Sequence, residues 1–227
     1  MTVRIGTRGS ALALWQAERV RQLLRQAHPQ LTAELVRIDS HGDRSQEQSI
    51  ADIGVVGIFT REIERALLDN RVDVAVHSLK DMPTEPPPGL VVAAVLRRDD
   101  VRDLLIAACL AEAPAKNGAA ALARLPRGAR IGTSSLRRRA ELLRARPDLD
   151  VAPARGNVPT RIALVERGEL DGVVLSACGL ERLGIRVAGS ALLEPEIMLP
   201  APAQGTIAVQ VRAGDAATHA LVASLDD

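Results

Sequence analysis

The chain has 227 residues, enough for one large domain or two small ones. Hydrophobic residues make up 47% and charged residues 25%, a balance that excludes a disordered chain and requires a buried core. The formal net charge of +1 argues against a nucleic-acid binder, which would need a clustered excess of positive charge for phosphate neutralisation, so no nucleic-acid partner is expected.

Lys80 and Lys116 are the only lysines; every other basic residue is arginine, a skew that codon bias alone can produce. Cys109 and Cys178 lie far apart with no CxxC pairing and no neighbouring His, so neither a disulfide framework nor a metal site is expected and a reducing compartment is. The N-terminus lacks an apolar core of signal-peptide length, and the longest apolar stretch, residues 90–96, is too short to span a bilayer. The expectation is a cytoplasmic protein without a membrane partner.

In chain order, residues 3–7 read as a short strand. Ser10 then caps a helix whose apolar positions Ala13, Ala17, Val20, Leu24 and Ala27 follow helical spacing. His28-Pro29 ends that helix, and a β-rich run follows over 31–38. A second helix is predicted over 60–70, feeding a buried strand over 72–76. The same order then recurs. Arg130-Ile131-Gly132-Thr133 repeats Arg4-Ile5-Gly6-Thr7, Arg146-Pro147 takes the place of His28-Pro29, Thr160-Arg161 echoes Thr60-Arg61, and residues 170–176 echo 72–78. Strands alternating with helices predict an α/β fold of two similar lobes, each a mainly parallel sheet flanked by helices. Ligands in such sheets bind beyond the carboxyl ends of strands, so a cleft between the lobes is expected. The predicted division is 1–96 with 196–227 as one lobe and 97–195 as the other.

Both copies of the first turn open a helix, where unpaired backbone N–H groups favour anions. The first carries Arg8 and Ser10; the second carries Ser134, Ser135, Arg137 and Arg138. Plain helix capping is the alternative for the serines, and a solvated helix face for the arginines. Arg155 and Arg161 flank Gly156-Asn157 at another expected strand end, and Arg182 follows Cys178-Gly179-Leu180. So many guanidinium groups imply a ligand with several carboxylates or phosphates. No Walker pattern is present, and Gly54-Val55-Val56-Gly57 lacks the lysine of a nucleotide loop.

The sharpest local feature is His77-Ser78-Leu79-Lys80-Asp81-Met82-Pro83, at the end of a buried strand. Beside Lys80, the Asp81 carboxylate should stay ionised and could stabilise a developing cation or shuttle a proton. Pairing with Lys80, or capping a turn before Pro83, is the plainer reading. His77 reads as a packed strand-end residue, Cys178 as a buried small residue, and Cys109 as strand packing.

The segments 4–8 and 12–17, the stretch His77 to Pro83, Gly132-Thr133-Ser134-Ser135-Leu136-Arg137-Arg138, Arg155-Gly156-Asn157-Val158, Leu199-Pro200-Ala201 and Gln204-Gly205 together resemble the porphobilinogen deaminase (hydroxymethylbilane synthase) family across nearly the whole chain. That family condenses porphobilinogen units head to tail with release of ammonia to a linear tetrapyrrole. Its first two domains resemble type II periplasmic-binding-protein lobes. The resemblance implies a transferase with Asp81 as the catalytic carboxylate. It also implies that Arg8, Ser10, Lys80, Ser135, Arg137, Arg138, Arg155, Arg161, Arg182 and Gln204 bind the acetate and propionate groups of porphobilinogen and linear polypyrroles. Asp43 and Phe59 match positions of a mobile loop, in which the family often has a lysine where this chain has Val56.

The family's third domain carries a cysteine that tethers a dipyrromethane primer, and neither Cys109 nor Cys178 matches it in motif or position. The expectation is therefore a short form with no covalent cofactor, a non-covalently held dipyrromethane-like primer at most, and a monomer. Two other classes remain open: a catalytically idle pyrrole- or tetrapyrrole-binding protein, and the effector-binding lobes of a regulator, for which no helix-turn-helix segment is seen.

Overall fold

The computed structural model describes residues 2–38 and 60–227. They form two units, the first running to Asp99 and resuming over Gly205–Asp227, the second spanning Asp100–Gln204. In chain order the elements are β1 (Thr2–Thr7), α1 (Ala11–Ala27), β2 (Thr32–Arg37), α2 (Arg61–Leu68), β3 (Val74–Ser78), a 3-10 turn (Leu79–Asp81) and β4 (Leu90–Val95). The second unit holds β5 (Asp103–Ala107), α3 (Ala108–Glu112), α4 (Gly118–Arg124), β6 (Arg130–Gly132), α5 (Leu136–Ala145), β7 (Asp150–Ala152), α6 (Val158–Glu166), β8 (Gly172–Ser176), α7 (Ala177–Arg182) and β9 (Ser190–Leu193). The chain then returns to the first unit with β10 (Ile207–Arg212) and α8 (Ala216–Ala223).

The first unit is a five-stranded sheet in the order β2-β1-β3-β10-β4. Strands β2, β1 and β3 are parallel, and β10 runs antiparallel to both β3 and β4. One face is covered by α1 and α8, whose Ala17, Val20, Leu24 and Val222 pack on Val3, Ile5, Val74, Val76, Val209 and Val211. The other is covered by α2, whose Ile63, Ala66 and Leu67 pack on Val72, Ala75 and Leu90. Period-2 alternation along the strands sends these side chains to opposite faces, and the 3.6-residue period of the helices gathers theirs on one stripe.

The second unit repeats the plan as β7-β6-β8-β5-β9, with β5 antiparallel to β8 and β9. Leu142 of α5 packs on one face with Leu105, Ile131 and Val174, and Ile162 and Val165 of α6 on the other with Ile106, Val173 and Leu175. Each sheet is thus mixed, because β5 and β10 do not follow a right-handed strand–helix–strand crossover, the connection that fixes parallel direction.

The repeated Arg-Ile-Gly-Thr motif has a shared structural cause. Asp73 accepts the backbone N–H of Arg4 at 2.9 Å, and Asp171 accepts that of Arg130 at 2.6 Å. Both pairs pin the strand that carries the motif, β1 or β6, to the start of its parallel neighbour, β3 or β8. The preceding helices also end alike. Asn70 (φ 56°) and Gly168 (φ 70°) take the left-handed conformation just past α2 and α6. This shortens the helix predicted to reach residue 70, and Val72 donates its N–H back to the Ala66 carbonyl instead of joining β3, so the strand starts two residues later than predicted. Cys109 is a second correction: the strand stops at Ala107, and Cys109 lies in the first turn of α3, half-buried.

Candidate active site

In the first unit a pocket opens at the carboxyl ends of β1 and β3, lined among others by Arg8, Ser10, Gln16, Thr60, His77, Ser78 and Asp81. Ser10 holds the start of α1, its Oγ accepting the Ala13 N–H at 3.3 Å, so its hydroxyl serves the helix end that the pocket faces. β3 ends at Ser78, and the 3-10 turn that follows carries Lys80 and brings the exposed Asp81 to the pocket, whose lining does not include Lys80. Met82 is extended, as the residue before Pro83 must be, which stops the turn after a single cycle.

Sequence reasoning missed Gln16, Glu64 and Gln210 beneath this rim, whereas His77 is the packed strand-end residue expected. Gln16 is buried and its Nε2 donates to Ser78 Oγ at 2.9 Å. His77, also buried, lies 3.2 Å from Gln210 Oε1 through Nε2; Gln210 in turn donates to Glu64 Oε1 at 3.4 Å, and Thr60 Oγ1 donates to Glu64 Oε2 at 3.2 Å. A glutamine carbonyl oxygen only accepts, so His77 carries its hydrogen on Nε2. Burial, partly offset by the Gln210 hydrogen bond and reinforced by the charge of Arg8, pushes the His77 imidazole down to about 4. It is neutral at physiological pH.

In the second unit, Ser135 caps α5 by accepting the Arg138 N–H at 3.4 Å. Arg137 and Arg138 both reach a carboxylate the sequence did not single out. Asp103, at the start of β5 and fully buried, accepts Arg137 Nη2 at 2.7 Å, Arg138 Nη2 at 2.8 Å and Gln204 Nε2 at 2.9 Å. Burial raises the Asp103 pKa, but the Arg138 charge and the hydrogen bonds from Arg138, Arg137 and Gln204 outweigh it and hold the group below the ordinary carboxylate range. Gln204 and Arg138 are themselves buried, whereas Arg137 keeps an edge in solvent.

Arg155 lies in the loop entering α6, where Arg161 Nε donates to the Gly156 carbonyl at 2.9 Å and Asn157 caps the helix. Arg182 lies buried in the last turn of α7, as does Cys178 in its first. The structure therefore gathers Arg8, Ser10 and Asp81 at one pocket, with Lys80 in the same turn as Asp81, and in the other unit it sets Arg137, Arg138 and Gln204 around one carboxylate, with Ser135 at the start of the helix that carries the two arginines. Asp43, Val56 and Phe59 lie outside the described residues. Among the described residues, no group of His, Cys, Asp and Glu side chains is placed to hold a metal ion, and no helix is long and apolar enough to cross a membrane.

The two mixed α/β units define a type II periplasmic-binding-protein-like fold. Similar solved structures are the effector-binding domain of BenM with benzoate (TM-score 0.53, 18% identity, 97% of this chain and 88% of that one) and the OxyR2 regulatory domain from Vibrio vulnificus (TM-score 0.57, 16% identity, 99% and 94%). At such identities the likeness is one of fold alone.

Sequence goes further: the porphobilinogen deaminase, dipyromethane cofactor binding domain family matches residues 3–220, and the chain belongs to that family. Its relatives include porphobilinogen deaminases of Xanthomonas axonopodis pv. citri, 48% identical over 99% of this chain and 71% of the relative, and of Stenotrophomonas maltophilia, 49% identical over 100% and 72%. A third, from Syntrophotalea carbinolica, is 45% identical over 99% and 69%.

Proposed function

We propose that this chain condenses porphobilinogen units head to tail, and that Asp81 is the group on which the chemistry turns. The observation that carries the reading is Asp81 at the rim of a pocket that also holds Arg8 and Ser10, in a chain of this family. As the aminomethyl C–N bond of porphobilinogen breaks, its electron pair leaves with ammonia and the pyrrole nitrogen feeds the ring to give an azafulvenium cation. The Asp81 carboxylate stabilises that cation and accepts the pyrrole N–H. The free α-carbon of the neighbouring pyrrole then attacks the methylene carbon, a C–C bond forms, and the displaced proton leaves to complete the step.

The acetate and propionate groups are bound by Arg8, Ser10 and Lys80 in the first unit and by Ser135, Arg137, Arg138, Arg155, Arg161, Arg182 and Gln204 in the second. Burial of Arg138, Arg182 and Gln204 gives the solvent-facing share of this work to Arg137, Arg155 and Arg161. Within these 227 residues the thiols are Cys109 and Cys178. Burial raises the Cys109 pKa and so disfavours the nucleophilic thiolate, while Cys178 is enclosed in the core. A dipyrromethane-like primer on these residues is accordingly held by ion pairs and hydrogen bonds, not by a thioether. The same reading sets the protein in the cytoplasm as a monomer.

The test is incubation of purified protein with porphobilinogen, following ammonia and product mass, with the mass of the native protein recorded first. Ammonia and a linear tetrapyrrole from protein of unmodified mass are expected. Asp81→Asn should lower the rate by about 100-fold or more. Equal rates for the variant remove Asp81 from the chemistry, and porphobilinogen binding without ammonia release marks an idle binding protein instead.

A further inference from the structure

Three side chains that the family resemblance links to ligand binding, Arg137, Arg138 and Gln204, donate to a single buried acceptor, Asp103. We infer that Asp103 is a positioning residue for the reaction proposed above, holding the Arg137 guanidinium in the orientation that receives a substrate carboxylate.

The division of labour follows from the atoms. Asp103 Oδ1 takes Arg138 Nη2 and Gln204 Nε2, while Oδ2 takes Arg137 Nη2 alone. Arg138 is fixed further by the Val174 carbonyl at 3.2 Å and Gln204 by the Val101 carbonyl at 2.7 Å. Both are therefore buried and braced by the backbone, Arg138 keeping 7% of its surface exposed. Arg137 differs: one edge is held by Asp103 and the Leu199 carbonyl, and its side chain remains 22% exposed. Two guanidinium groups against one carboxylate leave the cluster one positive charge in excess, and Arg137 is the member through which solvent reaches it.

An arginine at the start of a helix is ordinarily a mobile side chain with large rotamer entropy, and ordering it on ligand binding lowers affinity. Asp103 orders it beforehand. A purely stabilising role would be met as well by apolar residues of similar volume, since ionised groups are costly to bury.

Because the inference rests on the condensation reading, two arms separate them. The first uses no substrate: 15N relaxation of the Arg137 Nε–Hε group in wild type and in Asp103→Asn, which keeps the size of the side chain and removes its charge. The group is expected to be rigid in wild type and mobile in the variant. The second measures porphobilinogen kinetics, where KM should rise about 3- to 10-fold, the equivalent of immobilising one long side chain, with kcat within about twofold. Should Asp103→Asn fold too poorly, Asp103→Asn/Arg138→Gln removes the buried surplus charge, and Arg137 is read in that background. An Arg137 as rigid in the variant as in wild type, or an unchanged KM, overturns the inference and leaves the condensation reading intact. Wild-type protein that releases no ammonia overturns that reading, while the relaxation arm still decides whether Asp103 holds Arg137.

Discussion

The buried His77 imidazole predicts an acid-labile first unit. Its pKa falls from 6.5 in the unfolded chain to about 4 in the folded one, and at about 1.4 kcal/mol per unit this corresponds to about 3 kcal/mol. The sign follows from which state binds the proton. Below 6.5 the unfolded chain is protonated while the folded chain is not, so the contribution is complete above about pH 6.5. It drains as pH falls toward 4, where the folded imidazole also protonates and the slope vanishes. Trp15 is the only tryptophan and no tyrosine is present, so intrinsic fluorescence reports on α1, in the unit that holds His77. Urea unfolding followed by that signal, for wild type and His77→Gln across pH 7.5 to 4, cancels the carboxylate titrations common to both. The stability difference between them should shrink by about 3 kcal/mol over the range. Parallel curves, or a His77 ring found doubly protonated at pH 6 by long-range 1H–15N correlation, would refute the reasoning.

The pins between strands should be costly to remove. Asp73 accepts the Arg4 N–H, the Arg4 guanidinium at 2.7 Å and Arg212 at 3.4 Å, and Asp73→Ala should destabilise by about 2 kcal/mol in urea titration. Its hydrogen-bonded carboxyl is held below the usual range chiefly by Arg4, so that contribution is present above pH 4 and lost below it. A Cβ on Gly132 would lie 2.5 Å from Leu170 Cδ1 and 2.8 Å from Ala154 Cβ, so Gly132→Ala should lower stability by about 1–3 kcal/mol through overpacking. Gly128 has open space but φ 73°, and Gly128→Ala should instead lose about 1–2 kcal/mol from backbone strain alone, both read from thermal denaturation.

Much of each unit was legible because its signals are local. Ser10 before an apolar stripe, proline after His28 and the copied Arg-Ile-Gly-Thr strand mark elements whose determinants lie within a few residues. The central antiparallel strands were harder, since β10 pairs with β3 across about 130 residues of chain and nothing within Ile207–Arg212 states which neighbour it will find. The same distance hid the supporting shell of the site. Gln16 and Glu64 do leave a trace, as polar residues on stripes otherwise made of Ala17, Val20, Ile63 and Leu67. Gln210 interrupts the apolar run of β10 in the same way. Asp103 opens a strand beside Arg102, and nothing adjacent to it in sequence marks it, because its donors Arg137, Arg138 and Gln204 lie 34, 35 and 101 residues away.

The insertion of residues 100–204 between β4 and β10 has a consequence for biosynthesis. When β4 leaves the ribosome, the first sheet still lacks the strand that separates β3 from β4, and at 5–20 residues per second that strand follows only after on the order of ten seconds. During this interval the second unit, contiguous in sequence, can complete its own sheet while the first waits with two strand edges unpaired. The topology predicts a reversal of the usual N-terminal-first order of folding: a fragment of residues 100–204 should fold alone and one of residues 1–99 should aggregate.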